Sequence, residues 1–273
     1  MSELYLYPLC IQLAAPRQLD NVDFCDTLAL LQQRGFYGVE LNLIDFDNPT
    51  PQQMTEHLTR YGLRLTMVAS GAYANHNKLS LSGEDETVRR KSVAAIRTML
   101  TYAHQAQAGV ICGFIKGGPG GDRAIAAAQL ERSLSELLAC GALDLAPLYL
   151  EATNHYEALL VNRVCEGAAF CRKLQDKLHI LPDTYHMNIE EPHLLSPLVE
   201  YQSPYQNLHL SDNNRYFPGL GALDFAPVLR MLQAIGYTGT ITLEGCNFYS
   251  LREDIALTAD YLVRLAQRIQ KTP

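Results

Sequence analysis

The chain has 273 residues, 48% of them apolar and 19% charged. A full α/β barrel needs about 250 residues, and this composition excludes a globally disordered chain. The formal net charge of −7 opposes a phosphate backbone, so nucleic acid is not expected as a partner. The seven cysteines are scattered, odd in number and without a C-x-x-C pair, which reads as reduced thiols in a cytoplasmic protein. The first residues, Met-Ser-Glu-Leu-Tyr, lack a basic region followed by an apolar stretch. No window reaches the roughly 18 apolar residues of a span, so neither a signal peptide nor a membrane segment is expected.

Strands and helices alternate along the chain. The first apolar run is Tyr5 to Leu13, followed by helical spacing at Val22, Cys25, Leu28 and Leu31 up to Gly35. Gly38 to Leu43 is a second strand, Pro51 to Tyr61 a helix, and Leu63 to Ser70 a third strand. Glu84 to Gln107 is a long helix, preceded by Ser82 with Asp85 three residues on, a variant of the capping box. Val110 to Ile115 is the fourth strand, and Lys116 to Gly121 reads as a glycine-rich loop. Then come a helix over 124–139, a strand ending at Glu151, a helix from Tyr156 to Leu174, and a strand from Ile180 to Thr184. Glu190 to Tyr201 is a short helix broken near Pro197, and Leu208 to Ser211 the seventh strand. Phe225 to Ile235 is helical, Thr240 to Glu244 the eighth strand, and Leu251 to Ile269 the closing helix. Eight strands alternating with eight helices predict parallel βαβ units closed into a single (β/α)8 barrel, one domain over residues 1–273.

In such a barrel the C-terminal ends of the strands surround the active site. Strand 5 ends at Glu151, strand 6 at Asp183 with His186 just beyond, strand 7 carries His209, and strand 8 ends at Glu244. Three carboxylates brought together repel one another unless a cation holds them. With one imidazole they form a hard, mixed donor set suited to Mn²⁺, Mg²⁺ or Co²⁺ more than to Zn²⁺. Such a site suits chemistry next to a carbonyl. The ion stabilises an enediolate while one carboxylate removes the carbon-bound proton and another returns it. Glu151 and Glu244 are the candidate pair. Glu40 ends strand 2 in the same way and carries both a functional and a structural reading. The Lys116–Gly121 loop does not match the phosphate-binding G-x-x-x-x-G-K-[ST] pattern and reads as a mobile loop near the barrel mouth.

Four segments carry a family resemblance. Leu150-Glu-Ala-Thr-Asn-His-Tyr-Glu157 is similar to L-E-P-L-N-R-[FY]-E, and Asp183-Thr-Tyr-His-Met-Asn-Ile-Glu-Glu191 to D-[TF]-[FY]-H-M-N-I-E-E. His209 to Arg215 with Pro218-Gly-Leu-Gly221 resembles H-x-x-[DE]-x-[NH]-R-x-x-P-G-x-G, and Gly239 to Glu244 matches a final strand with its terminal glutamate. On these residues the chain resembles the xylose-isomerase-like barrel superfamily of sugar isomerases and epimerases, and within it the ketose 3-epimerases of tagatose and psicose type and related sugar epimerases. The resemblance implies Glu151, Asp183, His209 and Glu244 as ligands of one divalent ion, commonly Mn²⁺, with Mg²⁺, Co²⁺ or Zn²⁺ as alternatives. It also implies Glu151 and Glu244 as the acid/base pair, and Glu157, His186 and Arg215 as holding substrate oxygens. The implied assembly is a homodimer or homotetramer, and the implied partner a small sugar. Ala152-Thr153 and His155 depart from the family's Pro-Leu and Arg, which leaves the sugar open.

Two other enzyme readings share the barrel: an aldose–ketose or hydroxypyruvate-type isomerase, and an abasic-site endonuclease of the endonuclease IV kind. The second needs further His ligands, and the ends of strands 3 and 4, Ala69 to Tyr73 and Gly113 to Lys116, contain none.

Overall fold

The computed structural model describes residues 4–202 and 205–271, so both ends of the expected 1–273 domain lie outside the described residues. The strands are β1 (Leu9–Ala14), β2 (Gly38–Asn42), β3 (Arg64–Ala69), β4 (Gly109–Cys112), β5 (Leu148–Glu151), β6 (Leu178–Leu181), β7 (Asn207–Leu210) and β8 (Thr240–Leu243). All pair in parallel, in the order β6-β5-β4-β3-β2-β1-β8-β7. The seam between β6 and β7 is bridged just beyond β6, where Asp183 pairs with His209 and the His209 amide donates to the Pro182 carbonyl at 3.0 Å. The architecture is therefore a (β/α)8 barrel, as the alternation predicts.

Ten helices surround it among the described residues: α1 (Val22–Gln33), α2 (Pro51–Thr59), α3 (Gly71–Asn77), α4 (Glu86–Ala106), α5 (Arg123–Ala139), α6 (Val164–Lys173), α7 (Thr184–Glu190), α8 (Ser196–Glu200), α9 (Ala226–Ala234) and α10 (Leu251–Lys271). None is long and apolar enough to cross a membrane.

Side chains alternate along a strand, and this period builds two layers. Leu148, Leu150, Leu208, Leu210, Ile241 and Leu243 join the large core shared with the helices. The residues between them point into the barrel. Met67, Ala69, Ile111, Tyr149 and Leu181 form a separate inner cluster, and the polar Glu40, Asn207, His209 and Thr242 are all fully buried. A buried polar layer has to be hydrogen-bonded internally, and this one is, as described below.

Several local expectations are corrected. Asp85, rather than Ser82, caps α4: its Oδ1 accepts from the Thr87 and Val88 amides at 2.7 and 3.3 Å. The capping box lies instead at α2, between Thr50 and Gln53. The short helix α3 follows β3, where only a strand end is expected. The helix expected from Tyr156 begins at Val164. Asn162 donates from its side chain to the Thr153 and Ala158 carbonyls and Val161 has φ 57°, so residues 154–162 form a loop that keeps Glu157 at the barrel mouth. Of the helix expected over Glu190–Tyr201 only α8, Ser196–Glu200, is helical beyond Glu190; α7 ends at Glu190, where that helix is expected to begin. Lys116 is not part of an open loop. It closes a 3-10 turn, Phe114–Lys116, and is buried.

Candidate active site

Glu151, Asp183, His209 and Glu244 converge at the C-terminal end of the barrel. One ligand-type atom from each lies within 4.8 Å of every other. His209 Nδ1 faces the three carboxylates, at 2.6 Å from Glu244 Oε2, 3.8 Å from Asp183 Oδ2 and 4.0 Å from Glu151 Oε1. His209 Nε2 points the other way and donates to Glu40 Oε2 at 2.9 Å. Glu40 Oε1 accepts from Asn207 Nδ2 at 2.6 Å and Thr242 Oγ1 at 2.7 Å. Glu40 thus fixes the orientation of the imidazole from behind, the arrangement that orients a metal-ligating His. Its open reading resolves as support for the site.

Asp183 does two things at once. Its Oδ1 caps α7, accepting from the Tyr185 amide at 2.7 Å and the His186 amide at 3.4 Å, while Oδ2 enters the cluster. Because His186 stands on the first turn of that helix, the cap also aims its ring. His186 Nδ1 accepts from the Asn154 amide at 3.2 Å and the Asn154 side-chain amide at 2.7 Å. The remaining nitrogen, Nε2, is therefore the protonated one, and it lies 3.8 Å from Glu151 Oε1. Burial pushes the His186 pKa down and keeps the ring neutral. Glu157 accepts from Asn154 Nδ2 at 3.0 Å and stands half-exposed at the mouth.

Arg215 bridges two carboxylates, with Nη1 at 2.8 Å from Asp183 Oδ2 and Nη2 at 2.8 Å from Glu244 Oε1. Its backbone has φ 65°, a conformation that costs a non-glycine residue about 1 kcal/mol or more. The 212–223 loop imposes it: buried Asp212 accepts from the Gly219, Gly221 and Leu223 amides at 3.1, 3.0 and 2.9 Å. A Cβ at Gly221 would overlap the Asp212 carboxylate, which explains a glycine there.

The two glutamates sit in opposed fields. Burial pushes the Glu151 carboxyl up to about 8, and neighbouring Glu244 adds to the rise. Burial acts on Glu244 in the same sense, but Arg215 and His209 outweigh it and hold Glu244 well below the usual carboxylate range. Burial also opposes charge on His209, yet Glu40 and Glu244 raise its pKa well above the ordinary value. Three largely buried carboxylate side chains compensated by cations, beside an imidazole nitrogen aimed at the same point, fit the donor chemistry of a divalent cation site.

A cavity of about 130 Å³ opens onto the cluster and is lined by Glu151, Glu157, His186, Arg215 and Glu244 together with Gln12, Asn42 and Ser70. Sequence reasoning missed the last three. Asn42 Nδ2 donates to Gln12 Oε1 at 2.8 Å, and Ser70 Oγ is buried without a partner among the described residues. Their signal in the sequence was position only: Gln12 lies in the C-terminal half of β1, Asn42 ends β2 and Ser70 directly follows β3.

Residues 28–265 match the family model of the xylose isomerase-like TIM barrel. The chain belongs to this family. Among relatives of this xylose isomerase-like barrel, the ketose 3-epimerase of Arthrobacter globiformis is 27% identical over 230 residues, covering 82% of this chain and 78% of that protein. The 3-dehydro-D-guloside 4-epimerase of Escherichia coli (strain K12) is 35% identical over 99 residues, which span 36% of this chain but only 38% of that enzyme's length. In three dimensions the barrel superposes on the apo 3-keto-D-glucoside 4-epimerase of E. coli with a TM-score of 0.78 and 20% identity, covering 94% of this chain and 99% of that one. All three of these proteins are sugar epimerases.

Proposed function

We propose that the protein is a divalent-metal-dependent epimerase of a ketose or keto-sugar, inverting a carbon next to a carbonyl. The observation that carries this reading is the convergence of Glu151, Asp183, His209 and Glu244 on one point beside a cavity that also presents Gln12, Asn42, Ser70 and His186. The names of the relatives support it. Carbon 3 of a ketose and carbon 4 of a 3-dehydro sugar both adjoin a carbonyl, so the shared chemistry is proton removal from such a carbon.

In this reading the four converging side chains hold the ion, Mn²⁺ for a mixed oxygen and nitrogen set, with Co²⁺, Mg²⁺ and Zn²⁺ as alternatives. When bound, the ion supplies electrophilic polarisation of the substrate's carbonyl. One of Glu151 and Glu244 takes the proton from one face of the carbon, and the other returns a proton to the opposite face. One carbon–hydrogen bond breaks and one forms, with no net oxidation. His186 Nε2–H and the Arg215 guanidinium donate to substrate oxygens. Glu157 accepts from a hydroxyl, and Gln12, Asn42 and Ser70 meet the far end of the sugar. The unpaired thiols agree with a cytoplasmic enzyme, and a homodimer or homotetramer is the proposed assembly.

The test is product identification by NMR after incubation with ketoses, sugar phosphates and keto-glycosides, with and without EDTA. Inversion at one carbon, abolished by EDTA and restored by Mn²⁺, is the expected outcome. An aldose formed from a ketose would favour the isomerase reading, which uses the same two glutamates.

Two substitutions probe the surroundings. Glu40→Gln places an amide against three donors and loosens His209. Mn²⁺ affinity is expected to fall by about 10-fold or more, the usual cost of losing a partner behind a ligand, read by calorimetric titration. Ser70→Ala removes an unpaired buried hydroxyl, whose desolvation already costs the fold about 1 kcal/mol or more. Tm is expected to hold or rise while KM for the cognate sugar increases severalfold. Unchanged KM would exclude Ser70 from substrate contact.

A further inference from the structure

Lys116 is a buried cation that the proposed reaction does not use. Its side chain is 1% exposed and among the largest fully buried ones in the protein. Lysine is almost never fully buried without a paired charge. Yet no carboxylate lies within ion-pair distance of Lys116 among the described residues. Its ammonium donates to Thr153 Oγ1 and, at 3.5 Å, to the Gly113 carbonyl.

Both partners neighbour Glu151, Gly113 from the β4 side and Thr153 two residues further along the chain. The ladder between β4 and β5 ends at Cys112 and Leu150, one residue short of Gly113 and Glu151. On its other side Glu151 is still paired, with Leu181 of β6. Beyond the last rung, the β4 side of Glu151 is bounded by the 3-10 turn, whose first flanking residue, Gly113, packs so closely that a Cβ there would overlap Glu151 Oε2. The turn folds Lys116 back over Gly113 and onto Thr153, two residues after Glu151, so the lysine spans the gap where the ladder has stopped.

We infer that Lys116 is a positioning residue for Glu151, fastening the turn after β4 to the loop after β5. The inference rests on the proposed metal-dependent function. Lys116→Met keeps the approximate volume and removes the ammonium. Thr153→Val keeps the shape and the lysine but removes the acceptor. Because both cut one link, each is expected to weaken Mn²⁺ binding by about 10-fold or more, and the double variant should be no weaker than the worse single one. At saturating Mn²⁺ each should lower kcat about 10-fold with KM within threefold.

Titration of the intact protein and the three variants with Mn²⁺ alone, followed by calorimetry, reads the first effect without any substrate. The sign is diagnostic. A lysine that acted only as a charge would repel the ion, so Lys116→Met would bind Mn²⁺ more tightly, and that result overturns the positioning role. So would affinities within twofold of the parent, or losses that multiply in the double variant. If Lys116→Met fails to fold, Thr153→Val alone decides, by weakened binding or its absence. A parent that binds no Mn²⁺ would instead overturn the metal-dependent reading itself, and this inference with it.

Discussion

Glu244→Gln is expected to reduce turnover by about 10³-fold, within the range that a positioned acid or base contributes. The glutamine is nearly isosteric, so the barrel should retain its Tm within a few degrees. It can neither take nor return a carbon-bound proton, and it weakens the contacts that Glu244 makes with His209 Nδ1 and Arg215 Nη2. The two roles separate in the assay. Saturating Mn²⁺ should restore occupancy but leave kcat low. Recovery of kcat to within tenfold of the parent at saturating Mn²⁺ would mean that Glu244 only binds the ion.

The second large effect is expected from a residue with no chemistry of its own. In Gly113→Ala the new methyl group occupies the space of the Glu151 carboxylate, which must then swing aside. Gly113 has φ −91°, so the substitution is not opposed by a left-handed backbone. The clash falls on the Glu151 side chain. A displacement of about 1 Å at a reacting group is worth roughly 100-fold in rate, and that is the expected loss in kcat/KM, accompanied by weaker Mn²⁺ binding. A Gly113→Ala protein with parental kinetics would show that Glu151 is not held where the account needs it.

These two cases mark what could be read from the sequence. Glu244 was legible because strand ends in a parallel barrel share one face, and Thr240-Ile-Thr-Leu-Glu244 reads as a strand with a terminal carboxylate. The same logic found Glu151, Asp183 and His209, and the motif around Asp183 found His186. Gly113 and Lys116 were not legible. Their importance comes from contacts with Glu151 and Thr153, more than thirty residues away, which no local pattern encodes. Glu40 stood between the two cases: it was noticed as a strand end, but its role follows from Asn207, His209 and Thr242 across the barrel interior, 167 or more positions along the chain. The stretch 156–162 reads as the start of a helix in the sequence for a related reason. Its residues suit a helix, and what unwinds them is the Asn162 side chain capturing two carbonyls, together with the turn at Val161.

Proton transfer by Glu151 and Glu244 is read most directly as deuterium incorporation at carbon. The Mn²⁺-loaded protein is incubated in D₂O with ketoses and keto-glycosides, and mass spectrometry with NMR locates any solvent deuterium. The expected result is one deuterium at the carbon beside the carbonyl of one substrate class, lost with EDTA and in Glu244→Gln. Epimerisation or isomerisation of a substrate with no deuterium gained at carbon would contradict proton transfer by these glutamates.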